Sequence, residues 1–129
     1  MDDELLARGR EIQAQLWPQV KGTTGAFPAA QLAPDFYRYV AETAFGMIWS
    51  RPNLALRDRS LVTVAQLAAL GRTDELRAHL TGARNLGISR EELVEVLMQT
   101  AVYAGVPAAN DALKVAAEVL GTDQPADDQ

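Results

Sequence analysis

Helix breakers stand at nearly regular intervals along this 129-residue chain, and that punctuation constrains the fold more than any other feature. Pro18, Pro34, Pro52, Gly71, Gly87, Gly105 with Pro107, and Gly121 cut the sequence into pieces of helical length. Proline cannot continue a helix interior, and glycine supplies the left-handed residue that often ends one. Between the breaks, no segment alternates apolar with polar residues in the way a half-buried strand does. The expectation is an all-α fold of about six helices. Composition agrees, because 48% of residues are hydrophobic but only 6% aromatic, which suits closely packed helices better than a β-sandwich.

The segments have local signals of their own. A first helix is expected from Asp3 to Trp17, closed by Pro18, followed by a Gly-, Thr- and Pro-rich loop over residues 18–33. Pro34 opens a second helix carrying Phe36, Tyr37, Val40, Phe45 and Met47, which stops between Trp49 and Pro52. A third, from about Leu56 to Leu70, is apolar almost all round and is expected to be buried on most sides. Gly71 ends it, and Thr73 offers an N-cap for a fourth helix that stops at Gly87. Ser89-Arg-Glu-Glu92 is a capping box opening a fifth helix to Tyr103, and Pro107 starts a last one toward Leu120. The chain thus reads as one domain over 1–129. An N-terminal helix and loop span 1–33, the core spans 34–120, and an acidic, disordered tail spans 121–129.

Charge and cysteine content exclude several functions. The net charge of −5 argues against nucleic-acid binding, which needs a basic surface. No apolar run is long enough to span a bilayer, and the acidic N-terminus lacks a signal-peptide layout, so a cytoplasmic protein is expected. With no cysteine there is no disulfide, thiolate zinc site or thiol redox chemistry. One region has the opposite charge. Residues 51–84 hold Arg51, Arg57, Arg59, Arg72, Arg77 and Arg84 against Asp58, Asp74 and Glu75, a local surplus suited to a small anion. For any single one of these arginines, a surface or intersubunit ion pair is the commoner role.

The only histidine lies in that region. His79 follows Glu75 by four residues, a spacing that stacks carboxylate and imidazole on one helix face. A carboxylate so placed would hold the ring in one tautomer and raise its basicity, making a proton-transfer pair. The other reading is a satisfied surface or interface histidine. Two protein ligands are too few for a metal site, so none is expected.

Several segments then resemble carboxymuconolactone decarboxylases. They are Trp49-Ser-Arg-Pro52, Arg57-Asp-Arg-Ser-Leu-Val-Thr63, Ala69-Leu-Gly-Arg72, Glu75-Leu-Arg-Ala-His79, Glu95-Val-Leu97 and Tyr103-Ala-Gly-Val-Pro-Ala-Ala-Asn110, in order between about Phe36 and Leu120. The resemblance implies an all-helical, alkylhydroperoxidase D-like fold assembled as a homo-oligomer, a trimer or hexamer. It implies cofactor-free loss of CO2 from γ-carboxymuconolactone to give β-ketoadipate enol-lactone. In the related peroxidase branch two cysteines precede the histidine. Their positions fall here on Arg72 and Glu75, and that branch's relay glutamate falls on Ser60. Thiol peroxidase chemistry is therefore excluded.

Such a decarboxylation leaves a dienolate, which needs a donor at its oxygen and an acid to protonate a ring carbon. His79, oriented by Glu75, is expected to be the donor or acid. Arg51 and Arg59 are candidates for gripping carboxylate, and Trp49 and Tyr103 for lining the pocket. Many family members resembling this one carry an aromatic residue and a second histidine after the Pro-Ala-Ala-Asn segment. Here Asp111-Ala-Leu-Lys114 stands there, so either Lys114 supplies the cation or the substrate differs. A related lactone or keto acid, a non-catalytic oligomeric module and an anion-binding protein without turnover stay open beside the enzyme.

Overall fold

A computed structural model describes residues 2–20 and 28–122. Within them lie α1 (Asp3–Leu16), a 3₁₀ turn (Pro28–Gln31), α2 (Pro34–Val40), a π-helical segment (Ala41–Trp49), α3 (Leu56–Leu70), α4 (Thr73–Asn85), α5 (Arg90–Ala104) and α6 (Val106–Leu120). The described residues form helices and turns without strands, as the punctuation predicts. Part of the 18–33 loop and most of the 121–129 tail lie outside the described residues. No helix among the described residues is long and apolar enough to cross a membrane.

Helix starts follow local chemistry in most cases. The Asp2 side chain caps α1 by accepting from the Glu4 and Leu5 amides. The capping box of α5 is complete: Ser89 Oγ accepts from the Glu92 amide at 3.0 Å, and Glu92 Oε1 from the Ser89 amide at 3.1 Å. Gly71 closes α3 in the left-handed conformation, at φ 72°. Thr73 departs from expectation. The N-cap of α4 is Arg72, Thr73 is the first helical residue, and no side chain caps the end. The α3–α4 turn is so short that the cap position falls one residue earlier.

Helices α3 to α6 form a four-helix unit whose core is aliphatic. Val64, Ala68, Leu76, Leu80, Ala83, Ile88, Leu93 and Leu97 are buried there with Ala112, Val115 and Ala116. Burying each leucine contributes roughly 2 kcal/mol of transfer free energy. The breadth of burial expected for α3 does not hold within one chain. Its enclosed face is Ser60, Val64 and Ala68, one turn apart, while Val62 and Leu70 are exposed. Neighbouring helices cover only the stripe facing α4, α5 and α6.

The N-terminal helix is integral to the structure. Helix α1 packs along the π-helical segment, backbone against backbone. A Cβ at Gly9 would fall on the Ala41 carbonyl oxygen, and one at Gly46 on the Leu5 carbonyl oxygen. Only glycine permits this approach. It builds a second, aromatic cluster of Leu16, Trp17, Phe45 and Trp49, beside the aliphatic one.

Candidate active site

His79 is the polar centre of the aromatic cluster. Its ring meets the edge of Trp17 at a centroid distance of 5.2 Å and 71°. Trp49 lies at 5.8 Å and 25°, and Phe45 at 6.5 Å and 7°, both close to parallel with the imidazole. Each ring is placed by its own element. Trp17 caps the end of α1 and donates from Nε1 to the Ala78 carbonyl at 2.8 Å, while Asn85 Nδ2 donates to the Leu16 carbonyl at 2.7 Å. These two bonds pin the end of α1 across α4. Phe45 and Trp49 come from successive turns of the π-helical segment, a rare helical form frequent at functional sites.

The electrostatics are those of a neutral base. Burial pushes the imidazole down from its ordinary value of 6.5 to about 4, because the charged form is the one desolvation penalises. His79 Nδ1 is enclosed and has no hydrogen-bonding partner. The ring is therefore uncharged at neutral pH, with one N–H to give and one lone pair to accept.

The expected Glu75–His79 pair is not formed. Glu75 is exposed in the first turn of α4, and no hydrogen bond or ion pair joins it to His79 among the described residues. Helical spacing permits such a pair without compelling it. Drawing a hydrated carboxylate into the aromatic cluster would cost several kcal/mol of desolvation, whereas the imidazole is well placed among flat rings. The basicity of His79 is thus lowered by its surroundings rather than raised by a carboxylate.

The other expected residues divide into two groups. Trp49 stands against His79. Arg51 follows two residues later, and Arg59 Nη2 donates to the Arg51 carbonyl at 3.3 Å, so the arginine pair sits where the π-helical segment hands over to α3. Tyr103 is elsewhere. It is 85% exposed at the end of α5 and lines a groove of about 410 Å³ with Leu61, Val62, Ala65, Val96 and Thr100. The groove lies between α3 and α5, which form no part of the aromatic cluster at that end, so within one chain Tyr103 does not line the His79 site. Lys114 is exposed on α6.

Ion pairing explains some of the basic segment. Arg57 pairs with Glu92, and Arg77 reaches Glu118 at 2.6 Å and Asp74 at 3.5 Å. Arg51 and Arg59 have no carboxylate partner among the described residues, and Arg59 Nε is enclosed without any acceptor. Sequence reasoning missed Trp17 and Phe45 as neighbours of the histidine. The available signal was scarcity, since both tryptophans and one of only three phenylalanines of the chain gather on its single histidine.

Comparison with known proteins identifies the family. The family model described as the carboxymuconolactone decarboxylase family matches residues 34–118. The chain belongs to the carboxymuconolactone decarboxylase family. It is 37% identical over 119 residues to a 4-carboxymuconolactone decarboxylase of Acinetobacter baylyi, covering 92% of this chain and 89% of that protein. It is also 33% identical over 123 residues to a nitrosuccinic acid decarboxylase of Metarhizium robertsii, covering 92% and 86%. An uncharacterized 15.0 kDa protein of Paracoccus denitrificans is 28% identical over 91 residues, covering 69% of this chain and 68% of that protein. Carboxymuconolactone decarboxylase relatives with decarboxylase names support a carboxy-lyase activity at the level of the family. Trp17 lies outside the matched span, so one wall of the His79 site comes from the part of the chain that the family model leaves uncovered.

Proposed function

We propose that the protein is a cofactor-free decarboxylase of small dicarboxylates, with γ-carboxymuconolactone as the first substrate to test. The observation that carries this reading is the neutral imidazole held among three aromatic rings, in a chain whose Arg51 and Arg59, at the junction after Trp49, have no carboxylate partner among the described residues. Decarboxylation breaks one C–C bond, releases CO2 and passes the electron pair into a conjugated carbonyl. The lactone becomes a dienolate, and a proton must then reach a ring carbon to give β-ketoadipate enol-lactone. A neutral N–H in a water-poor site stabilises the developing oxyanion far better than it would in water. Negative charge arriving beside His79 raises its proton affinity, so the ring can take up a proton from solvent, pass it to the ring carbon and return to its neutral form.

The remaining side chains divide the substrate between them. The departing carboxylate sits against Trp17, Phe45 and Trp49, where poor solvation favours loss of its charge as CO2. Arg51 and Arg59 hold the carboxylate that stays. Glu75 acts as a surface residue in this reading. A second substrate is favoured by the relative named for nitrosuccinic acid and by the absence of a second histidine near Lys114. In nitrosuccinate the nitro group replaces the lactone carbonyl as electron acceptor, and the second carboxylate is still available to the arginines. Self-association belongs to the same proposal. Leu70, Val102, Tyr103 and Val106 are each more than two-thirds exposed, an apolar surface of the kind that oligomers bury.

The test is CO2 release and loss of lactone absorbance with γ-carboxymuconolactone, run beside nitrosuccinate and His79→Ala. Turnover by the wild type and its loss in the variant are expected. No turnover on either acid, or full activity in His79→Ala, would overturn the assignment.

A further inference from the structure

The four enclosed side-chain polar atoms without a partner among the described residues are Gln13 Oε1, Arg59 Nε, Ser60 Oγ and His79 Nδ1. A buried polar group left unpaired costs roughly 1–3 kcal/mol, so such atoms mark places where something other than stability is served. Ser60 is the most completely enclosed of these residues, at 0% exposure.

The Ser60 hydroxyl behaves unlike its counterparts. Thr43, Ser50, Thr63, Thr81 and Thr100 each donate to the backbone carbonyl four residues earlier. This is the usual resting place of a helical hydroxyl. Ser60 makes no such bond to Leu56 and no other bond among the described residues. Its hydroxyl proton remains free to be donated elsewhere.

The packing indicates where. One turn before Ser60, Leu56 packs on the aromatic cluster, and one turn after it Val64 belongs to the aliphatic core. On the facing helix, His79 lies against the aromatic rings, while its neighbour Leu80 belongs to the aliphatic core. Helices α3 and α4 pack as an antiparallel pair closed by a bond from the Arg72 amide to the Leu67 carbonyl at 3.0 Å. Ser60 therefore sits between the two clusters and His79 on the aromatic one, on helices that pack against each other. One lacks an acceptor for its proton, and the other carries an enclosed nitrogen.

We propose that Ser60 is a positioning residue for His79, holding one buried water that in turn donates to Nδ1. That bond fixes the tautomer with the proton on Nε2, which leaves Nε2–H as the single donor for the substrate's developing oxyanion. The proposal rests on His79 being the oxyanion donor, as argued above. Without the bond the ring divides between two tautomers, and only one of them serves.

Ser60→Ala tests this. Removing the hydroxyl that holds this bridge lowers Tm by roughly 2–8 °C, so the variant stays folded. With a positioning role, kcat falls about tenfold or more while KM stays within about twofold, and Ser60→Cys, a weak donor of similar size, recovers part of the loss. The ring nitrogens of His79, read by 15N NMR on the wild type without substrate, show protonated Nε2 and unprotonated Nδ1. In Ser60→Ala the two signals move toward each other. Unchanged ring shifts together with unchanged kcat would overturn the proposal. The NMR arm needs no substrate, so it decides the role of Ser60 even where the wild type turns over neither acid.

Discussion

In the aliphatic core of α3 to α6, Leu76, Leu80, Ile88, Leu93 and Leu97 are fully enclosed and pack as one apolar body. The aromatic cluster beside it encloses a titratable ring, and α1, α3 and α4, which pack on it, carry the four enclosed polar atoms without a partner among the described residues. The first region is what a helical domain needs to fold. The second withholds hydrogen bonds and solvation from groups that would be more stable with them. Stability given up at a site is commonly the cost of a pre-organised one.

The largest expected contrast is in rate. His79→Ala lowers kcat on the lactone by about 10²–10⁴, the usual scale for a positioned proton donor, while the far-UV CD stays helical. Leu93→Ala does the opposite. It lowers unfolding free energy by about 2–5 kcal/mol in urea titrations, yet the folded fraction keeps its kcat. If Leu93→Ala abolished turnover at temperatures where the protein is folded, the two regions would not be separable as argued.

Acid pH sharpens the contrast further. The unfolded imidazole takes a proton near 6.5 and the folded one near 4, so between these values the unfolded state holds more protons and stability falls as pH falls. The full effect is roughly 3 kcal/mol below pH 4. His79→Gln lacks this component. The difference in ΔG between wild type and variant, measured by urea at pH 7, 5.5 and 4.5, shifts in favour of the variant as the solution becomes more acid. A difference constant with pH would refute it.

Smaller effects are expected at the edges. Trp17→Phe keeps a ring on His79 but loses the bond to the Ala78 carbonyl, at a cost of about 1 kcal/mol. It should raise KM more than it lowers kcat. Glu75→Gln changes an exposed side chain and moves stability by less than about 0.5 kcal/mol, with kcat within about twofold. A large loss there would restore the carboxylate–imidazole pair.

Much of the fold is legible in the sequence because its signals are local. Ser89 and Glu92 cap α5 through bonds that span three residues, and Gly71 ends α3 by its own backbone conformation. The π-helical segment and the aromatic cluster are not local in this sense. They depend on Gly9 and Gly46 letting two backbones touch, a contact between residues far apart in sequence. The site divides along the same line. His79, Trp49 and the Arg51–Arg59 pair are readable from motifs within one stretch. Trp17 reaches His79 only through the packing of α1 on α4, and Glu75 is misread because spacing along a helix says nothing about what the rest of the fold offers the imidazole.

The rings of Trp17, Phe45 and Trp49 hold the single histidine neutral. Because the chain has only one histidine, an NMR pH titration of its imidazole signals needs no residue assignment. A midpoint near 4 in the free protein, rising when an anionic substrate or a non-reactive dicarboxylate is added, is the predicted result. A midpoint at or above 6.5 in the free protein would contradict it, and would mean that a carboxylate rather than the rings of Trp17, Phe45 and Trp49 governs His79.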